Sequence, residues 1–122
     1  MSYEQGLKCV GLVASADLSA SQFCFVSFGS TGLALPSAGG DADGVLQDKP
    51  NALGVVGEVA VAGISKVIVG SAGVTEGDLL QVESTGKVIT AATTGHKIVG
   101  KALATGASGV VIPALIQNKG AV

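Results

Sequence analysis

Short apolar runs recur along this chain. Glycine or a polar cluster breaks them at intervals of about 8–12 residues, the spacing of an all-β sandwich or barrel. No stretch keeps the i, i+3, i+4 pattern of an amphipathic helix for three turns. The candidate strands are 7–14, 22–28, 32–35, 44–47, 55–62, 65–69, 78–83, 87–91, 97–104 and 110–117. Several are apolar on both faces: Phe23-Cys24-Phe25-Val26, Val67-Ile68-Val69 and Val110-Val111-Ile112. A surface sheet would alternate. Two-sided burial suits a closed barrel, or a sandwich packed on a neighbouring subunit. The expected fold is all-β, a compact β-barrel or β-sandwich of about 8–10 short strands with little helix.

Turn chemistry divides these runs. Phe28 to Leu33 and Val82 to Val88 each turn through Ser-Thr-Gly, which predicts two hairpins. A further turn is expected at Ala62-Gly63-Ile64-Ser65. Pro113 lacks a backbone donor, which predicts an edge strand or a bulge for the last run. Segments 38–51 and 105–109 read as exposed loops.

One phrase occurs twice. SQFCFVSFGSTGLALPSAGGDADGVL and TEGDLLQVESTGKVITAATTGHKIVGKAL share an apolar run, a Ser-Thr-Gly turn, a second apolar run, a Gly-rich loop and a strand bearing glycine. A shift of 54 sets Thr31-Gly32 on Thr85-Gly86, and two more loop residues set Gly44 on Gly100. Either the chain holds two related halves joined through GEVAVAGISKVIVG, or glycine-rich sheet is resembling itself. A solenoid is not implied, since it needs three or more repeats.

Composition narrows the reading. With 122 residues, one domain spanning 1–122 is expected, with 1–6 as an N-terminal arm. The chain is 48% apolar and 13% charged, the opposite of a disordered segment. Its core must be thin, because it has 19 glycines, no Trp, one Tyr and three Phe. A thin core with little surface charge favours an oligomer or a large docked interface over a self-sufficient domain. Net charge is −2, and all seven basic residues are lysine. Without arginine or a basic run, nucleic-acid binding is not expected. Neither a transmembrane segment, a basic amphipathic helix nor a secretory signal is visible, so no membrane partner is expected. Cys9 and Cys24 sit in apolar runs and read as reduced, buried side chains rather than a disulfide.

Candidate chemistry is sparse. Residues 95–102 contain GxxxxGK, but Ala102 stands where a phosphate loop needs Ser or Thr. Asp41-Ala42-Asp43-Gly44 opens like a calcium loop, yet the sixth and twelfth positions are Leu46 and Ala52 instead of Gly and Glu. His96 is the only histidine and reads as a solvated loop residue, and one His with two Cys is too few for a closed zinc site. Nucleophile, base and orienting group cannot be named together, so the chain is not expected to be an enzyme or to carry a cofactor or metal. The polar terminus MSYEQGLK offers Tyr3, Glu4 and Leu7 as candidate contacts to a partner or to another subunit, a frayed end being the alternative.

The order of phrases, from ADLSASQFCFVSF through DADGVLQDKP and VAVAGISKVIVGSAGVTEGDLLQVESTGKVITA to KIVGKALATGASGVVIPALI, resembles the small capsid cement or head-decoration proteins of tailed bacteriophages. The likeness runs from about Leu7 to Ile116. It rests on Gly44, Gly63, Gly77, Gly86 and Gly100, on Asp17-Leu18 and Asp78-Leu79, and on Pro50. The resemblance implies a β-rich protein on the outer surface of the virion head, made in the host cytoplasm. It implies a homotrimer that binds and clamps the major capsid protein. A tail or fibre subunit, or an adhesin-type β-module for host glycans, is the alternative.

Overall fold

The computed structural model describes residues 5–91 and 96–117, with side chains from Lys8 onward. Nine strands follow in order: β1 (Gln5–Val13), β2 (Phe25–Gly29), β3 (Gly32–Ala34), β4 (Gly44–Leu46), β5 (Val56–Ile68), β6 (Leu79–Val82), β7 (Val88–Thr90), β8 (Gly100–Ala102) and β9 (Val111–Ile116). There is no helix among the described residues. All nine belong to one curled antiparallel sheet of order β3-β2-β4-β5-β9-β8-β6-β7, with β1 on the other side of β5. The architecture is all-β and barrel-like, as the apolar runs and turn residues predict.

The same pairing scheme occurs twice. Val26 lies opposite Gly44 in β2–β4, and Leu80, 54 positions on, lies opposite Gly100, 56 positions on. Phe28↔Leu33 in the first hairpin becomes Val82↔Val88 in the second, whose turn is one residue longer. Val10↔Val59 and Val13↔Val56 in β1–β5, displaced by 55, become Ser65↔Ala114 and Ile68↔Val111 in β5–β9. β5 is therefore shared: its front part matches β9, and its rear part matches β1. The double phrase marks two structurally equivalent halves.

Each half closes on itself through one parallel bridge, Ala14↔Leu33 in the first and Val69↔Val88 in the second. The flanking bonds repeat as well. Ser15 N donates to Leu33 O at 2.9 Å, and Gly70 N to Val88 O at 2.6 Å. Side chains fill rings this small completely. Ala14, Leu18, Val26, Leu33, Leu46 and Val59 form the first core. Their counterparts Val69, Val74, Leu80, Val88, Ala102 and Ala114 belong to the second. Gly44 and Gly100 are counterparts with a shared reason. A Cβ on Gly44 would run into the Ala60 carbonyl oxygen, and one on Gly100 into that of Leu115 at 2.6 Å. Only glycine lets β4 and β8 approach their neighbours so closely.

The second core also takes in Phe25, Ala42 and Val45 from the first half. This explains why β2 is apolar on both faces: Val26 points into its own ring, while Phe25 points into the neighbour. Backbone bonds reinforce the seam, with Phe25 N donating to Gly86 O (2.8 Å) and Ile68 N to Phe23 O (3.0 Å). Gln47 Nε2 donates to Ser65 Oγ at 2.9 Å, and the Lys66 ammonium stands 5.4 Å from the Phe23 ring centre. A cation over an aromatic face is attracted by its quadrupole.

Several expectations are corrected. Residues 62–65 do not turn. β5 runs through them, and Gly63, at φ 99°, takes up the irregularity where the strand passes from β1 and β4 to β9. Pro113 is on neither an edge nor a bulge: β9 lies between β5 and β8, and the register with β5 is unbroken. Pro113 O accepts from Leu103 N, so its missing donor faces β8 just beyond that strand's end at Ala102. Within 38–51, Ala42, Gly44–Leu46 and Pro50 are buried, so the segment is not simply an exposed loop. Of Val110-Val111-Ile112 only Ile112 is buried. Cys9 is exposed on β1, whereas Cys24 is buried.

Candidate interaction surface

The surface is built from what the two halves leave uncovered. β1 matches the rear of β5, but no described strand flanks it in the same way. β5 covers one of its edges, and no strand among the described residues pairs with the other along Lys8 to Leu12. Lys8, Cys9, Val10, Gly11 and Val13 are exposed. A strand that exposes apolar side chains is a ready partner for another chain. Tyr3 and Glu4 lie outside the described residues. Leu7 falls in β1, and its side chain is likewise outside the description.

Two matched apolar tips stand at the entries to the front of β5 and to β9. Val55 N donates to Ala52 O (3.2 Å), and 55 positions on Val110 N donates to Ala107 O (3.1 Å). Gly54 and Gly109 adopt φ of 88° and 84° at the same place in each turn. The first tip exposes Leu53, Val55 and Val56, with Leu53 72% accessible, and Val13 pairs beside Val56. The second exposes Val110 and Val111. Val55 and Val110 open the strands expected at 55–62 and 110–117, and that pattern does not single out Leu53. The repeat of Gly-Val-Val at 54–56 and 109–111 was the signal that could have found them.

The residues considered for chemistry are spread apart or engaged. His96 is half-buried, contrary to the expectation of a solvated residue. Its Nδ1 stands 3.0 Å from Gln81 Nε2, and its ring lies where a Cβ of Gly39 would be. Residues 100–102 of the phosphate-loop pattern form β8, a strand, and Gly95 lies outside the described residues. Asp43 Oδ2 accepts from Phe28 N at 2.7 Å, and Ser27 Oγ donates to Asp41 O at 2.7 Å, so this loop is tied to β2. Asp17 Oδ1 accepts from Ser19 N, which holds its carboxyl below the usual carboxylate range. Burial pushes the Cys24 thiol up. No three His, Cys, Asp or Glu side chains meet in a metal-binding group among the described residues.

A shallow depression of about 380 Å³ is lined by Val74, Thr75, Thr90, Thr105 and Gly106 among others. Two of its threonines are already engaged. Thr90 Oγ1 donates to Asp78 Oδ2 (2.8 Å), and Thr105 Oγ1 accepts from Glu76 N (3.0 Å). What the exposed residues offer is apolar contact area and a strand edge.

No family model matches the chain, and neither does any curated protein. Among solved structures, it is similar to the head fiber gp8.5 N base of bacteriophage phi29, with a TM-score of 0.75 and 14% sequence identity. The match covers 95% of this chain and 98% of that one, so the two share a fold over nearly their whole length.

Proposed function

We propose that this chain is a structural protein of a phage virion, a decoration or cement protein on the outer surface of the head that stabilises contacts between major capsid protein subunits. One observation carries the reading: the whole fold, both halves included, is similar to a head fiber base. The apolar tips around Leu53 and Val110 and the exposed Val10 and Val13 of β1 suit such a role. It requires buried area across a seam and no chemistry, and interfaces of ordinary size bury about 1,600 Å². The chain acts as a homotrimer without enzyme activity or cofactor, and binds neither nucleic acid nor membrane. Three linked copies convert modest contacts into strong attachment by avidity. Binding only the assembled lattice stabilises it by mass action.

A second reading has a specific observation behind it. The similar structure is the base of a fiber, so this chain could serve as the foot of an appendage on the head. The deciding experiment adds purified chain to heads prepared without it. Saturable binding, and a gain in resistance to heat and osmotic shock, is the expected result. Binding with no gain in resistance favours the fibre base, and failure to bind heads refutes both. Within that experiment, Leu53→Glu with Val110→Glu should abolish binding while leaving the fold intact, because both side chains are exposed.

A further inference from the structure

The seam between the halves shows what would cover the two surfaces left open at their far ends. On the second half, the seam covers Ser65, Val82 and Val99, which are 0%, 1% and 4% exposed. Their counterparts on the first half are Val10, Phe28 and Asp43, and all three are exposed. On the first half, the seam is made by Phe25, Val45 and Gln47. Their counterparts on the second half are Leu79, Lys101 and Leu103, which are half-buried, exposed and half-buried. The chain thus ends in the two sides of a contact that it already makes once internally.

We infer that a second copy of this chain docks head to tail, setting its Leu79–Lys101–Leu103 face on the Val10–Phe28–Asp43 face of the first. This rests on the proposed self-association and names its surfaces. Residue types at the ends are matched as a set. Where the seam joins Gln47 to Ser65 by a hydrogen bond, the ends offer Leu103 and Val10, both apolar. Where Val45 and Val99 share the second core, the ends offer Lys101 and Asp43, of opposite charge. Where Phe25 and Val82 share it, the ends offer Leu79 and Phe28. Independent polar caps would not need opposite charges at paired positions. The contact is heterologous, so every copy uses both faces.

The test is a charge swap followed by sedimentation velocity on the purified chain across a wide concentration range. Lys101→Glu and Asp43→Lys should each weaken association at least about tenfold, and the double variant should recover most of it, since close charge pairs couple strongly at interfaces. Because Asp43 also holds Phe28 N, Phe28→Ser provides a check that leaves this carboxylate in place, and it too should weaken association. A chain that stays monomeric at about 0.1 mM, a concentration well above ordinary specific affinities, overturns the inference. So does an oligomer that Lys101→Glu and Phe28→Ser leave intact, or a double variant no better than the singles. Loss of head binding by a chain that still associates in solution would count against the proposed function and not against this contact.

Discussion

Phe25→Ala tests whether the halves are one cooperative body. Phe25 is 1% exposed and projects from the first half into the second core, beside Val67, Val82 and Val88. Truncation loses about 2–3 kcal/mol of transfer free energy. It also vacates on the order of 100 Å³, worth about 2.4 kcal/mol if nothing relaxes. Together these give about 4.4–5.4 kcal/mol, at the upper end of measured Phe→Ala costs. Whole-domain stability is commonly about 5–15 kcal/mol, so the loss is a large share. The assay is urea unfolding followed by far-ultraviolet circular dichroism, since there is no Trp and one Tyr to report by fluorescence. Protein concentration must be varied, because association shifts the midpoint. The counterpart Leu79→Ala, at a half-buried position, should cost less than half as much. A loss under about 1 kcal/mol for Phe25→Ala, below the range for filled core sites, would falsify the account of the seam. A transition that splits in two would show that the ring was what coupled the halves.

Other outcomes follow from single sites. Gly44→Ala and Gly100→Ala should both lower the urea midpoint, because each Cβ meets a backbone carbonyl that cannot rotate away; a neutral result at either would show that the β4 or β8 approach is looser than described. A thiol reagent should modify Cys9 in the native chain and reach Cys24 only after unfolding, as peptide mapping would read out. Burial raises the Cys24 thiol, so the folded chain holds that proton more tightly than the unfolded one. Stability is then constant below the ordinary thiol value of 9.0 and falls as pH rises above it, and Cys24→Ala should flatten that slope in urea midpoints taken between about pH 8 and 10.5. Asp78→Ala removes the acceptor shared by Thr75 N and Thr90 Oγ1 and should cost about 1–3 kcal/mol in the same unfolding assay.

Much of the fold was legible because turn chemistry and apolar runs act locally. The Ser-Thr-Gly hairpins and the Gly44–Gly100 equivalence could be read from residue type alone. Gly63 misled because glycine marks a bend without saying whether the strand stops, and here neighbours on both sides of β5 carry it through. Pro113 misled because its cost depends on where the adjacent strand ends, a tertiary fact. Cys9 and Val110 look like core residues, since an apolar side chain in a strand reads the same whether its cover is this chain or another. For that reason the interaction surface was the least legible part. Val10 and Phe28 are recognisable there as counterparts of Ser65 and Val82, which the seam conceals.

The shared strand has a mechanical consequence. β5 is the wall of both rings, and no loop intervenes where one hands over to the other. A force that draws the halves apart along β5 cannot open a hinge. It must slide β5 against β1 at one end and against β9 at the other, loading the rungs of both ladders together instead of one after another. A protein so wired resists tension as a lap joint does, by overlap length, and the two ladders meet at Ile64, which pairs with both β1 and β9.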